Sequence, residues 1–280
     1  MRRLIQVESF KLRKRPMAWI LLALAPVLVA AIYGMLFAVV AAAPAGATNG
    51  TSSAEFRAAL DFRNVARFAD GLVFRTAAIA AIIVAGVSTA SEYRWRTASF
   101  FTAWSGERGR LIVARTAVYA VFAVAAVVLG LATATLCSFA INASRATLDT
   151  SDGADLPVAL AASAARDGLL VMVYVTLAVA VASWSRSAAL AVALPLVALL
   201  LEPLGVGLLG AAGGTIASAG RFTLTENVDA VLAANGAMKG SPVGIPEGLP
   251  SPWESAIFLA TFCLISVAAA IGAARRDLGD

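Results

Sequence analysis

The sequence contains no histidine, and only two of its 280 residues are cysteine, Cys137 and Cys263. The first absence removes imidazole as a metal ligand or proton shuttle. The second, with both cysteines inside apolar runs, removes a disulfide framework. Each thiol reads as a small buried hydrophobe. No Gly-x-x-x-x-Gly-Lys-Ser/Thr phosphate loop occurs anywhere, so the chain does not bind a nucleotide in that manner. Charge is scarce: 14% of residues are charged against 60% apolar, and the mean hydropathy is +0.83. A soluble domain is nearer half apolar and a quarter charged, and a chain this apolar cannot cover itself with polar surface in water. Lipid is the solvent it fits. Lysine is rare too, with Lys11, Lys14 and Lys239 as 3 of the 22 basic residues. Together with the abundant alanine, the arginine bias suggests a GC-rich bacterial genome and the bacterial cytoplasmic membrane.

A hydrocarbon layer of about 30 Å needs about 20 mostly apolar residues per spanning helix. Six runs meet that need: 16–43, 72–90, 116–141, 165–184, 187–216 and 255–274. The first follows a basic flank, as a leader's core would. It is too long for a leader core of about 7–15 residues, so it is expected to be a permanent helix, bent at Pro26. The fifth is interrupted at Glu202-Pro203. There the helix is expected to break near the outer face or re-enter, placing Glu202 in water or against a partner; a helix end at the outer headgroups is the plainer alternative. Arg166 and Asp167 read as the outer boundary of the fourth run, and no run carries a clear charge at its centre. The expected fold is all-α: an amphipathic segment at 1–15, then one six-helix membrane domain over 16–280, with no nucleotide-binding domain.

Arginine and lysine set the orientation. With the N-terminus in the cytoplasm, the inner segments hold 14 basic and 5 acidic residues, a net of +9, and the outer side holds the remaining 8 and 12, a net of −4. Both termini are therefore expected inside. Among the outer segments, 51–70 suggests a short surface helix and 221–234 a second one at the interface.

Two segments stand out. Residues 1–15 interleave Leu4, Ile5, Val7, Phe10 and Leu12 with six positive charges, a pattern that lies flat among headgroups. Residues 91–115 carry Tyr93, Thr97, Phe100, Phe101 and Trp104 at spacings of three and four, one face of a helix. Glu92, Arg94 and Arg96 stand on the other faces as exposed charges. A helix of this kind on the inner side, between the second and third spans, can insert into a groove on a soluble partner; an aromatic belt at the interface is the alternative.

Glu92-Tyr93-Arg94-Trp95-Arg96-Thr97, followed by Arg110 and Arg115, resembles the first intracellular loop of type-2 ATP-binding-cassette permeases. There the pattern runs Glu-Tyr-x-x-Gly-Thr and then an Arg and a Lys. Arg96 stands in place of the Gly and Arg115 in place of the Lys. The basic Glu8–Arg13 stretch, the interrupted fifth run and the closing Arg275-Arg276-Asp277 also fit that family. The resemblance implies an amphipathic elbow helix, a coupling helix built from Glu92, Tyr93, Arg94, Arg96, Thr97, Phe100, Phe101 and Trp104, and docking on a separate P-loop ATPase subunit that holds the ATP and Mg. It further implies a second permease half, identical or homologous, and export of an amphipathic, lipid-like or antibiotic-like substrate by alternating access. Glu202 and Pro203 would lie at the substrate path or outer gate. No cofactor is expected in this chain, no enzyme activity by itself, and no nucleic acid among its partners. The competing expectations are an ion-gradient-driven secondary carrier, or a membrane assembly factor that transports nothing.

Overall fold

The structure is a computed structural model that describes residues 1–42, 60–94, 108–145, 155–212, 221–234 and 249–276. Described secondary structure is entirely helical. Eight α-helices follow in order: α1 Arg2–Lys14, α2 Pro16–Ala42, α3 Val65–Arg94, α4 Arg108–Ser144, α5 Leu156–Ser185, α6 Ala188–Ala212, α7 Leu224–Ala233 and α8 Pro252–Arg276. Six of them, all but α1 and α7, are long and apolar enough to cross a membrane.

Sequence-local signals set several of the ends. Pro157 stands in the first turn of α5 and Pro252 begins α8, positions where a missing N–H costs nothing. At α8 the Ser251 hydroxyl accepts from the Glu254 amide while the Glu254 carboxylate accepts from the Ser251 amide, each at 3.3 Å, a reciprocal capping box. Arg186 closes α5 in the left-handed region at φ 55°, where glycine is the usual residue, and α6 starts two residues later.

The spanning helices alternate in direction. Glu92 near the end of α3 pairs with Arg115 near the start of α4. At the opposite end, Ser138 and Asn142 of α4 donate to the Leu60 carbonyl at 3.0 and 2.8 Å, just ahead of α3. α3 and α5 are parallel, with the Phe74 and Tyr174 rings 6.0 Å apart, and both sit in the middle: 67% of each one's most apolar window is buried, against 17–22% for α2, α6 and α8. The outer helices therefore point Trp19, Ile20, Met35, Leu204, Leu208 and Leu264 away from the protein. Such apolar faces would be a liability in water and suit hydrocarbon.

Two expectations need correction. The run at 187–216 is not interrupted at Glu202-Pro203: α6 continues through Pro195 and Pro203 to Ala212. Proline in a helix interior costs about 3 kcal/mol. Stopping there would instead leave the last four carbonyls of a lipid-facing helix without donors, at several kcal/mol each, so continuing is cheaper. The second span is also longer than 72–90. Charge at Arg67 and Asp70 made the first turns read as part of a surface helix over 51–70, but Asp70 is fully buried and the spanning helix runs from Val65. Ahead of it lies a short 3-10 turn at Phe62–Asn64; residues 51–59 of the expected surface helix lie outside the described residues.

Candidate functional site

At the end of the bundle where α1 lies, four charges meet below the surface. Lys11 of α1 donates to Glu8 Oε1 at 2.8 Å and to Glu92 Oε1 at 3.2 Å. Arg115 Nη2 donates to the other Glu92 oxygen, and Arg115 Nε lies 3.6 Å from Glu8 Oε2. Arg115 is 1% exposed, Glu8 and Glu92 about 5%, and Lys11 23%. Two acids face two bases, so the cluster is neutral, the condition under which buried charge is tolerable. Beside it Arg15 donates to Ser91 Oγ at 3.3 Å. A cavity of about 10 Å³ lined by Glu8, Lys11, Arg15, Ser88, Glu92 and Tyr119 is close to the smallest that holds one water.

This network decides what α1 is. Its Glu8 and Lys11, one helical turn apart, reach inward and fasten α1 to the end of α3 and the start of α4. Those two helices flank residues 95–107. Glu92, expected as an exposed charge, is thus buried, because partners 23 and 81 residues away take it out of solvent. Tyr93 is half-buried beside it, and Arg94 forms the last backbone position of α3. Arg96, Thr97, Phe100, Phe101 and Trp104, the rest of the expected coupling helix, lie outside the described residues.

Glu202 serves a different purpose at the far end. It is half-buried on α6, and its Oε1 accepts from the Leu224 amide at 2.7 Å. Leu224 is the first residue of α7, whose Thr223 cap accepts from Glu226 N at 3.3 Å. An orphan amide and a helix N-terminus both favour a carboxylate, so Glu202 fixes where α7 sits. Pro203, next to it, is half-buried. Within 221–234 a helix is present at Leu224–Ala233, with Leu224, Val228, Val231 and Leu232 buried against the bundle. On its other face burial pushes the Asp229 carboxyl up from its usual range, and Arg75 of α3 pulls it partly back. Glu202→Ala is expected to loosen α7 by about 1.5 kcal/mol, the low end for a hydrogen bond to a charged group. Hydrogen exchange at Leu224 should then quicken roughly tenfold; unchanged exchange would show that α7 is held by its apolar face alone.

Sequence reasoning missed a third set. Asp70 of α3 and Asp167 of α5 are both 0% exposed. The signal was present, since each is an acid at the edge of an apolar run, but the sequence places Asp70 at the end of the expected surface helix 51–70 and Asp167 at the outer boundary of the fourth run. Among the described residues no group of three His, Cys, Asp or Glu side chains is placed to hold a metal. Comparisons with family models, with curated proteins and with solved structures give no match for this chain.

Proposed function

We propose that the chain is the membrane-spanning half of an ATP-driven transporter, worked from its cytoplasmic face by a separate P-loop ATPase subunit. The observation that carries this reading is the four-charge cluster of Glu8, Lys11, Glu92 and Arg115. It ties an N-terminal helix to both helices that flank residues 95–107, so a push on that segment reaches α1, α3 and α4 together. A rigid assembly of this kind is what transmits closure of a soluble motor as a rigid-body shift. The sequence at Glu92–Thr97 supplies the family likeness, and the inside-positive charge balance favours a cytoplasmic position for that end.

In this reading the docking surface is formed by Tyr93, Arg94, Arg96, Thr97, Phe100, Phe101 and Trp104, while Glu92 holds their base in place. ATP and Mg belong to the motor subunit. A second half, a copy of this chain or a relative, completes the path, and the cargo is amphipathic, lipid-like or antibiotic-like, moved outward across a bacterial cytoplasmic membrane by alternating access.

The test is purification of the tagged chain from its native membrane. A P-loop ATPase is expected to accompany it. Arg94→Glu with Arg96→Glu should strip that subunit and abolish its transport-linked hydrolysis, with membrane insertion and melting temperature unchanged. With Cys137 and Cys263 replaced by serine, a single thiol at Phe100→Cys should react with an impermeant reagent only from the cytoplasmic side. Labelling from outside, or an ATPase that stays bound and active in the double variant, would sink the proposal.

A further inference from the structure

Several hydroxyls within the spanning helices bond back to their own backbone. Thr76, Ser91, Thr116, Thr176 and Ser185 each donate to a carbonyl three or four residues earlier, at distances between 2.7 and 3.1 Å. Ser88 of α3 breaks that pattern. It is 3% exposed, and its Oγ has no hydrogen-bond partner among the described residues. A hydroxyl buried in this way is costly and calls for a specific explanation.

Ser88 lines the cavity of about 10 Å³ at the α1 end of the bundle. Around the same space stand the carboxylates of Glu8 and Glu92, the cationic groups of Lys11 and Arg15, and the ring of Tyr119. The wall is therefore drawn from α1, α3 and α4 together. Size excludes most guests. A space of about 10 Å³ holds one sphere of water's radius, and a hydrated metal ion, a phosphate or an organic ligand is larger. Chemistry points the same way. A held water needs two to four polar partners, and this wall supplies both kinds. Glu8 and Glu92 accept, Lys11 and Arg15 donate, and the Ser88 hydroxyl does either. Lys11 and Arg15 are only partly buried, which gives water a way in from the surface.

We propose that this cavity is a binding site for one water molecule, which joins the Ser88 hydroxyl to the carboxylates of the four-charge cluster. A bridging water is nearly as favourable as a direct hydrogen bond. It serves the hydroxyl that the protein leaves unmatched and adds a further link between α1 and α3, beside the direct one through Lys11. The site needs neither an ATPase nor a cargo, so the failure of this inference and the failure of the transport reading are separate results.

Radical footprinting of the full-length chain in lipid tests it. X-rays split water where it lies, so a ring beside a held water is oxidised even where bulk solvent does not reach. Radicals from photolysed peroxide start in the bulk and oxidise only what the bulk reaches. Tyr119 is the reporter, since it is 4% exposed and forms part of the wall. X-ray exposure is expected to oxidise Tyr119, and peroxide photolysis to spare it. Ser88→Val fills the space with methyl groups and removes the hydroxyl, so the X-ray oxidation of Tyr119 is expected to be lost. A Tyr119 untouched by X-rays means a dry cavity and overturns the proposal. Oxidation by both sources overturns it as well, by showing that bulk solvent reaches the ring when α1 lifts away. So does oxidation that persists in folded Ser88→Val. The two wild-type arms need no variant and decide the matter even if the valine form fails to fold.

Discussion

Truncating Arg115 to alanine should cost the fold about 3–5 kcal/mol, the loss typical of removing one partner from a buried ion pair. The guanidinium is 1% exposed and neutralises Glu92 directly and Glu8 at 3.6 Å. Without it two buried carboxylates face a single ammonium, Lys11, which is itself partly in solvent. The expected result is a chain that still inserts, since its six apolar runs are untouched, but melts at a much lower temperature in detergent, with α1 accessible to protease. Arg115→Lys keeps the charge and loses the second nitrogen that reaches Glu8, so it should fall between. An alanine variant that melts like the wild type, with α1 still protected, would mean the cluster contributes nothing to holding α1.

The same cluster shows where reading the sequence stops. Hydropathy located six spans because a run of about 20 apolar residues is a local property. It placed their ends poorly wherever a charged residue was buried by a distant partner. The start of α3 was lost at Asp70 and the first turns of α5 were cut short near Asp167. Glu92 was assigned to solvent because helical periodicity reports faces, not what packs on them. The pairing of residue 92 with 115 and 11 is a long-range fact. Glu202-Pro203 misled in another way: proline is a breaker in water, but hydrocarbon penalises a bare helix end more heavily. The helix at Leu224–Ala233 was legible because its signals are local, a Thr-x-x-Glu cap before an apolar stripe.

Asp70 and Asp167 carry a general lesson about polar residues in such a bundle. Ser138, Asn142 and Thr76 are buried too, but each donates to a backbone carbonyl, so their polarity is spent within the scaffold. Glu8, Glu92, Lys11 and Arg115 neutralise one another. Asp167, with neither oxygen bonded, stands apart from both groups.

Gly86→Ala should be the second severe change, although it adds a single carbon. A Cβ built there would lie 2.9 Å from the Ala191 carbonyl oxygen and 3.1 Å from its carbon, with Val192 Cγ2 at 3.2 Å. The first two contacts are backbone, so no rotamer relieves them, and α3 and α6 must move apart. That displacement also opens the nearby cluster of Ala90, Ala182 and Ala191, where three small side chains let the helices approach. Overpacking of this kind costs about 1–3 kcal/mol, offset by less than 1 kcal/mol from alanine's better helix propensity. Gly86→Leu should exceed that range and release α6 from the central pair. Gly34 is the internal control: nothing lies within 4 Å of a Cβ built there, so Gly34→Ala should leave the melting temperature unchanged or raise it slightly. If Gly86→Ala also melted no lower than the wild type, the close approach of α3 and α6 would not exist in the folded protein. The parallel α3–α5 core would then have to be held without it.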